Sequence, residues 1–90
     1  MNTIPLRPVP NQSVSYMLDA IPHTLTIESR AGGLYLTLWR DGQYVLRNRA
    51  LKSYAPVGFG LQLVDTDGVD DPIYTGLGTR WVLLAKGESD

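Results

Sequence analysis

The sequence predicts an all-β protein: a single domain folded as a small antiparallel barrel or sandwich of about seven short strands. Three observations carry this. Apolar residues recur at alternate positions in several short runs, the period of a half-buried strand. Asp41-Gly42 sits between two such runs. Asp-Gly there is a strong two-residue hairpin signal, because a type I′ turn needs φ > 0 at both positions. No window sustains 3.6-residue apolar spacing over a helical length.

Taken in order, residues 1–11 contain Pro5, Pro8 and Pro10. Proline fixes φ, removes a donor and pushes the preceding residue toward extended backbone. This segment predicts an extended arm with a short edge strand near Thr3–Leu6 and a small share of the core. The β domain proper spans residues 12–86. In Ser13–Ala20, Val14, Tyr16 and Leu18 alternate with Ser13, Ser15 and Asp19, interrupted only by Met17, and Ala20–Pro22 breaks the run. His23–Arg30 puts Leu25 and Ile27 on one face and Thr24, Thr26 and Glu28 on the other. Ala31-Gly32-Gly33 signals a turn. Leu34–Trp39 is apolar on both faces, which predicts a central strand covered on both sides. Gln43–Arg47 completes the hairpin, and Arg49–Tyr54 predicts a further short strand with Leu51 inward.

Pro56 and Gly58 open the next turn, and Phe59–Val64 alternates through Leu61 and Leu63. Asp65–Pro72 is a polar loop, and Tyr74–Gly78 is too rich in glycine for a helix. Thr79–Ala85 is the last strand, with Trp81 and Leu83 on one face and Val82 and Leu84 on the other. Residues 87–90 are expected to fray.

The composition bounds the function. With 90 residues and no cysteine, the chain fits one domain of limited stability without disulfide staples. That favours an intracellular origin or assembly into a larger particle over secretion. Eight basic side chains stand against nine acidic, for a formal net charge of -1. A nucleic-acid binder shows a basic stripe, whereas Arg40, Arg47, Arg49 and Lys52 are spread among apolar residues and read as solvated positions. No leader pattern and no apolar run of membrane-helix length are visible, so a soluble protein is expected, binding neither nucleic acid nor membrane.

The search for chemistry yields little. Asp65, Asp67 and Asp70 could begin a calcium shell. The glycine comes too early for an EF-hand loop, however, and no glutamate closes it. The aspartates read instead as loop residues accepting backbone hydrogen bonds, and no metal or cofactor is expected. His23, the single histidine, lacks a recognisable nucleophile partner and reads as an exposed residue after a turn. The Gly32-Gly33, Gly58-Phe59-Gly60 and Gly76-Leu77-Gly78 clusters lack the Gly-Lys-Ser/Thr of a phosphate loop and read as turns and bulges. The aromatics read as core and interface packing. Arg80 beside Trp81 is a candidate interface anchor, with a solvent-facing arginine as the other reading.

Several short motifs carry a family resemblance. They are Ile4-Pro5-Leu6, Pro10-Asn11-Gln12, Leu18-Asp19, Gly60-Leu61 leading into Val64-Asp65-Thr66-Asp67, Asp71-Pro72, Leu77-Gly78-Thr79-Arg80 and Leu83-Leu84. In their order and spacing, from residue 3 to about 86, the chain resembles the short baseplate plug proteins of contractile-tailed phages of the cyanophage type and of related prophages. It departs in having Ala20-Ile21-Pro22 where members often have a glycine, and Ala85-Lys86 where they tend to end on an aromatic.

The resemblance implies an all-β structural subunit at the centre of the baseplate, near hub and spike, bracing or closing the end of the tail tube. It implies no catalytic residue and no enzyme activity. The expected partners are hub, spike and neighbouring tail proteins, with several symmetric copies. The expected location is the virion tail baseplate, after assembly in the host cytoplasm. The candidate interface residues are Ile4, Pro5, Leu6, Pro10, Asn11 and Arg80, with the proline-rich arm laid on a neighbouring subunit. Other readings of the residues stay open: a small oligonucleotide- or sugar-binding barrel, a host-side interaction domain, or, least favoured, a small hydrolase.

Overall fold

Four strands form a meander whose turns are set by backbone handedness. The computed structural model describes residues 2–86. Counting strands along the chain from β1 (Asn2–Ile4), the meander consists of β2 (Asn11–Leu18), β3 (Ile21–Arg30), β4 (Gly33–Arg40) and β5 (Gln43–Ala50). They are ordered β2-β3-β4-β5 in one antiparallel sheet. Three two-residue turns join them: Asp19-Ala20 (φ 53, 62), Ala31-Gly32 (φ 46, 79) and Asp41-Gly42 (φ 52, 82). Positive φ at both positions is the type I′ signature, whose twist matches that of the flanking strands. Left-handed backbone at Ala20 and Ala31 costs roughly 1–2 kcal/mol each, which the flanking ladders must offset.

The second sheet gathers both ends of the chain. Its order is β1-β8-β7-β6, with β6 at Pro56–Gly58, β7 at Leu61–Asp65 and β8 at Trp81–Ala85. The first strand pairs Asn2 with Ala85 and Ile4 with Leu83, and β7 pairs Leu63 with Leu83 and Asp65 with Trp81. A 3₁₀ turn at Tyr74–Gly76 is the one helical element among the described residues. The two sheets stack without closing on each other, so the all-β expectation resolves to a sandwich of eight strands, not a barrel.

The core lies between the sheets. Leu25, Ile27, Leu36 and Leu38 from the meander are fully buried, as are Leu63, Leu77, Leu83 and Ala85 from the second sheet and its connection. Alternation puts their neighbours outside, as the pleat requires.

Three expectations change. Leu34–Trp39 is an internal strand, but only Leu34, Leu36 and Leu38 face the core. Tyr35, Thr37 and Trp39 lie on the outer face, where no second sheet covers them among the described residues; Tyr35 and Trp39 are half-buried, and Thr37 is buried by its neighbours. Arg49–Tyr54 is not a separate strand: β5 runs through Ala50, and Leu51 is buried in the connection that follows. The arm is not marginal to the core, because Ile4 and Leu6 are buried in it and β1 completes the edge of β8. Its prolines fall at exposed Pro5, Pro8 and Pro10, between strands instead of within them. The expected frayed tail, 87–90, lies outside the described residues.

Candidate functional site

The densest polar constellation is a lock at the end of β7 and β8. Asp65 closes β7 opposite Trp81, and its side chain is fully buried. Burying a carboxylate is costly unless it is paired, and Asp65 is paired throughout. Its Oδ1 accepts from Arg80 Nε at 2.8 Å and from the Asp67 amide at 3.0 Å. Its Oδ2 accepts from Arg80 Nη2 at 2.9 Å and from the Asp70 amide at 2.9 Å. This is a bidentate fork, the strongest geometry such a pair adopts. Arg80 Nη2 also donates to Asp70 Oδ2 at 2.8 Å. The guanidinium lies over the Trp81 ring, 4.4 Å from its centroid, and Trp81 Nε1 donates to the Asp70 carbonyl at 3.1 Å.

The Arg80 hydrogen bonds, helped by the two backbone amides and opposed by burial, hold the Asp65 carboxyl well below the usual carboxylate range. The same pairing raises the Arg80 pKa further, keeping the group charged. Both Asp65 oxygens are therefore engaged by donors, and this carboxylate fastens the 66–71 loop to the sandwich. Among the described residues no cluster of acidic or histidine side chains is arranged to hold a metal ion. Arg80 precedes β8, and its half-buried side chain is engaged by Asp65 and Asp70.

His23 differs from its expectation as well. It is buried, with 5% of its surface exposed. Its ring stacks on Tyr16 at 5.0 Å between centroids, and Nδ1 donates to the Ile21 carbonyl at 2.8 Å. A carbonyl only accepts, so the proton sits on Nδ1. The Tyr16 hydroxyl is buried and finds no hydrogen-bond partner among the described residues.

The outer face of the meander carries an aromatic pair beside a row of hydroxyl residues. Trp39 and Tyr44 pair across β4 and β5 at 4.8 Å, and the Arg47 guanidinium lies 4.2 Å from the centre of the Tyr44 ring. Beside them the hydroxyl residues Ser13, Ser15, Thr24, Thr26 and Thr37 occupy successive strands, with Ser15 and Thr24 hydroxyls 3.3 Å apart. The sequence assigned these aromatics to packing; the period-two alternation that put Leu36 and Leu38 inside also puts Tyr35 and Trp39 outside.

Of the sequence candidates, Ile4 and Leu6 belong to this chain's own core, while Pro5, Pro10 and Asn11 are exposed. The Gln12 side chain ties the arm down: its Oε1 accepts from the Arg7 amide at 3.0 Å and its Nε2 donates to the Arg7 carbonyl at 2.7 Å. The sequence did not signal this clamp, nor the union of Asp65 with Arg80, since each joins residues on different elements.

No curated protein matches the chain. A family model described as the cyanophage baseplate Pam3 plug gp18 matches residues 1–88, nearly the whole sequence and both sheets of the sandwich. The chain belongs to this cyanophage baseplate plug family.

Proposed function

We propose that this protein is a structural subunit at the centre of a contractile tail baseplate, near hub and spike, where it braces or closes the end of the tail tube. The observation that carries the reading is the family match over residues 1–88. The fold is compatible with it. The side chains best suited to chemistry are engaged in holding the structure: His23 is stacked and bonded to the main chain, and Asp65 is spent on Arg80 and two amides. The reading is of a structural, non-catalytic role, which the family supports.

On this reading the chain is made in the host cytoplasm and joins the virion tail in several symmetric copies, touching hub, spike and neighbouring tail proteins. The exposed residues Pro5, Pro10 and Asn11 are proposed contact points. Cryo-electron microscopy of purified tail tips tests this. Density for the sandwich at the central hub is expected; complete tails lacking this chain would refute it.

A further inference from the structure

The sandwich has four edge strands, and three of them resist pairing with another chain. A free edge exposes unpaired backbone donors and acceptors, and proteins blunt such edges with shortness, proline, charge or bulges. The strand β1 is three residues long and runs directly into Pro5. The strand β6 is equally short, starts at Pro56 and is irregular at Gly58. The strand β5 carries Arg47 and Arg49, and its register with β4 is broken by bulges.

The fourth edge, β2, has none of these protections. Its sequence, Asn-Gln-Ser-Val-Ser-Tyr-Met-Leu, holds no charge, proline or glycine. Its pairing with β3 is unbroken over eight residues. The Ser29 amide donates to the Pro10 carbonyl at 2.9 Å, which makes 10 and 29 a hydrogen-bonded pair. By antiparallel alternation, Gln12, Val14, Tyr16 and Leu18 then direct their main-chain groups at β3. Asn11, Ser13, Ser15 and Met17 direct theirs outward, and all four are exposed. Among the described residues no strand pairs with that side.

We infer that β2 is a docking edge that receives an extended, uncharged segment of a different baseplate protein as a fifth strand of the meander sheet. This rests on the baseplate reading above. Addition of a strand to an open edge draws affinity from main-chain hydrogen bonds and specificity from alternate side chains. Val14 and Tyr16 are half-buried against the core, so the incoming strand places apolar side chains opposite them. Ser13 and Ser15 call for small or hydroxyl side chains on its other face. A second copy fits less well. Pairing β2 with itself creates a two-fold axis, which a plug seated at one end of a tail, on an axis with distinct ends, does not accommodate. Head-to-tail pairing of copies would need one of the three blunted edges.

The test replaces Ser15, whose amide faces outward, by proline. Edge strands accept proline at such positions, so Ser15→Pro retains the ladder to β3 while blocking the edge. The expected result is a folded variant whose amount in purified tails, against wild type in the same complementation, falls at least tenfold. Ser15→Lys, which leaves the main chain intact, decides the matter by the same readout if the proline variant does not fold. A photo-crosslinker replacing Ser13 is expected to join the chain to a different baseplate protein. Incorporation of both variants at wild-type level, or crosslinks only to another copy of this chain, would overturn the docking edge and leave the baseplate role standing. Absence of the wild-type chain from tails would overturn the baseplate role and this inference with it.

Discussion

Asp65 is the residue on which the loop geometry turns. Its folded carboxyl is held below the range of an unfolded aspartate by Arg80 and the amides of Asp67 and Asp70. The unfolded state therefore takes up the proton first as pH falls below about 4. The stabilisation from this pair is complete above that point and is lost progressively in acid. Asp65→Asn is expected to flatten this acid limb and to speed hydrogen exchange at the Asp67 and Asp70 amides at least tenfold; unchanged exchange would show that the loop is held by other means. Tyr16 acts at the other end of the scale. Burial pushes its pKa up to about 12, above an unfolded value of about 10. The unfolded chain then loses the proton first, and stability falls as pH rises through that window. Tyr16→Phe, which removes a buried hydroxyl that finds no partner among the described residues, is expected to abolish the alkaline loss and to add about 1 kcal/mol at neutral pH, readable as a higher Tm. A third single-residue case is Gly78, which combines φ 85 with close contact to the Leu6 carbonyl. Gly78→Ala is expected to cost about 1–3 kcal/mol for the left-handed backbone alone, and more because the added methyl group displaces the arm. Denaturant titration measures it, and a neutral result would contradict the close packing of arm on turn.

At the scale of elements, β1 decides whether the arm is an appendage or part of the fold. Ile4 is 4% exposed, and β1 covers one side of β8. Ile4→Ala is therefore expected to destabilise the isolated protein by about 2–5 kcal/mol. Deletion of residues 1–10 is expected to abolish cooperative unfolding; a truncated chain with wild-type Tm would return the arm to the status of a tether. The same element shows where sequence reading reaches its limit. Alternation found β2, β3 and β7, because each buries one face and the pleat imposes period two, whereas β4 and β8 were legible as short runs apolar on both faces. It also found the Asp41-Gly42 turn. The Asp19-Ala20 turn was legible only as a break, since alanine in left-handed backbone contradicts its own propensity and is held by pairing on both sides. Tyr35 and Trp39 misled for a related reason: large aromatics half-shielded by neighbours on an open face resemble a buried strand in composition. The Asp65–Arg80 fork escaped notice because it depends on the register of β7 against β8. Single residues signal loop chemistry, but not which distant cation will complete it.

For the whole molecule, the Cα radius of gyration of 12.1 Å matches the roughly 12 Å expected of a compact chain of this length, with the arm folded in. The two sheets, however, are assembled from very different parts of the chain. The meander pairs consecutive strands through two-residue turns, so its contacts close short loops. The other sheet joins Asn2 to Ala85, nearly the full length of the sequence. Loop-closure entropy must be met before such a pairing yields any stabilisation, so the meander with its inner leucines is expected to organise first and β1 to dock last. Neither sheet is stable alone, since each leaves an apolar face that only the other covers, and unfolding should remain a single transition. Kinetics distinguish the order. For a loss near 3 kcal/mol, Leu36→Ala in the meander is expected to slow refolding by roughly twentyfold, as a residue in the folding nucleus does. For the same loss, Ile4→Ala is expected to change refolding by less than about twofold and to speed unfolding by roughly a hundredfold. Chevron plots of the two variants measure this. The reverse pattern would mean that the chain ends meet before the meander forms, and that the β1–β8 pairing is the nucleus around which the hairpins are laid.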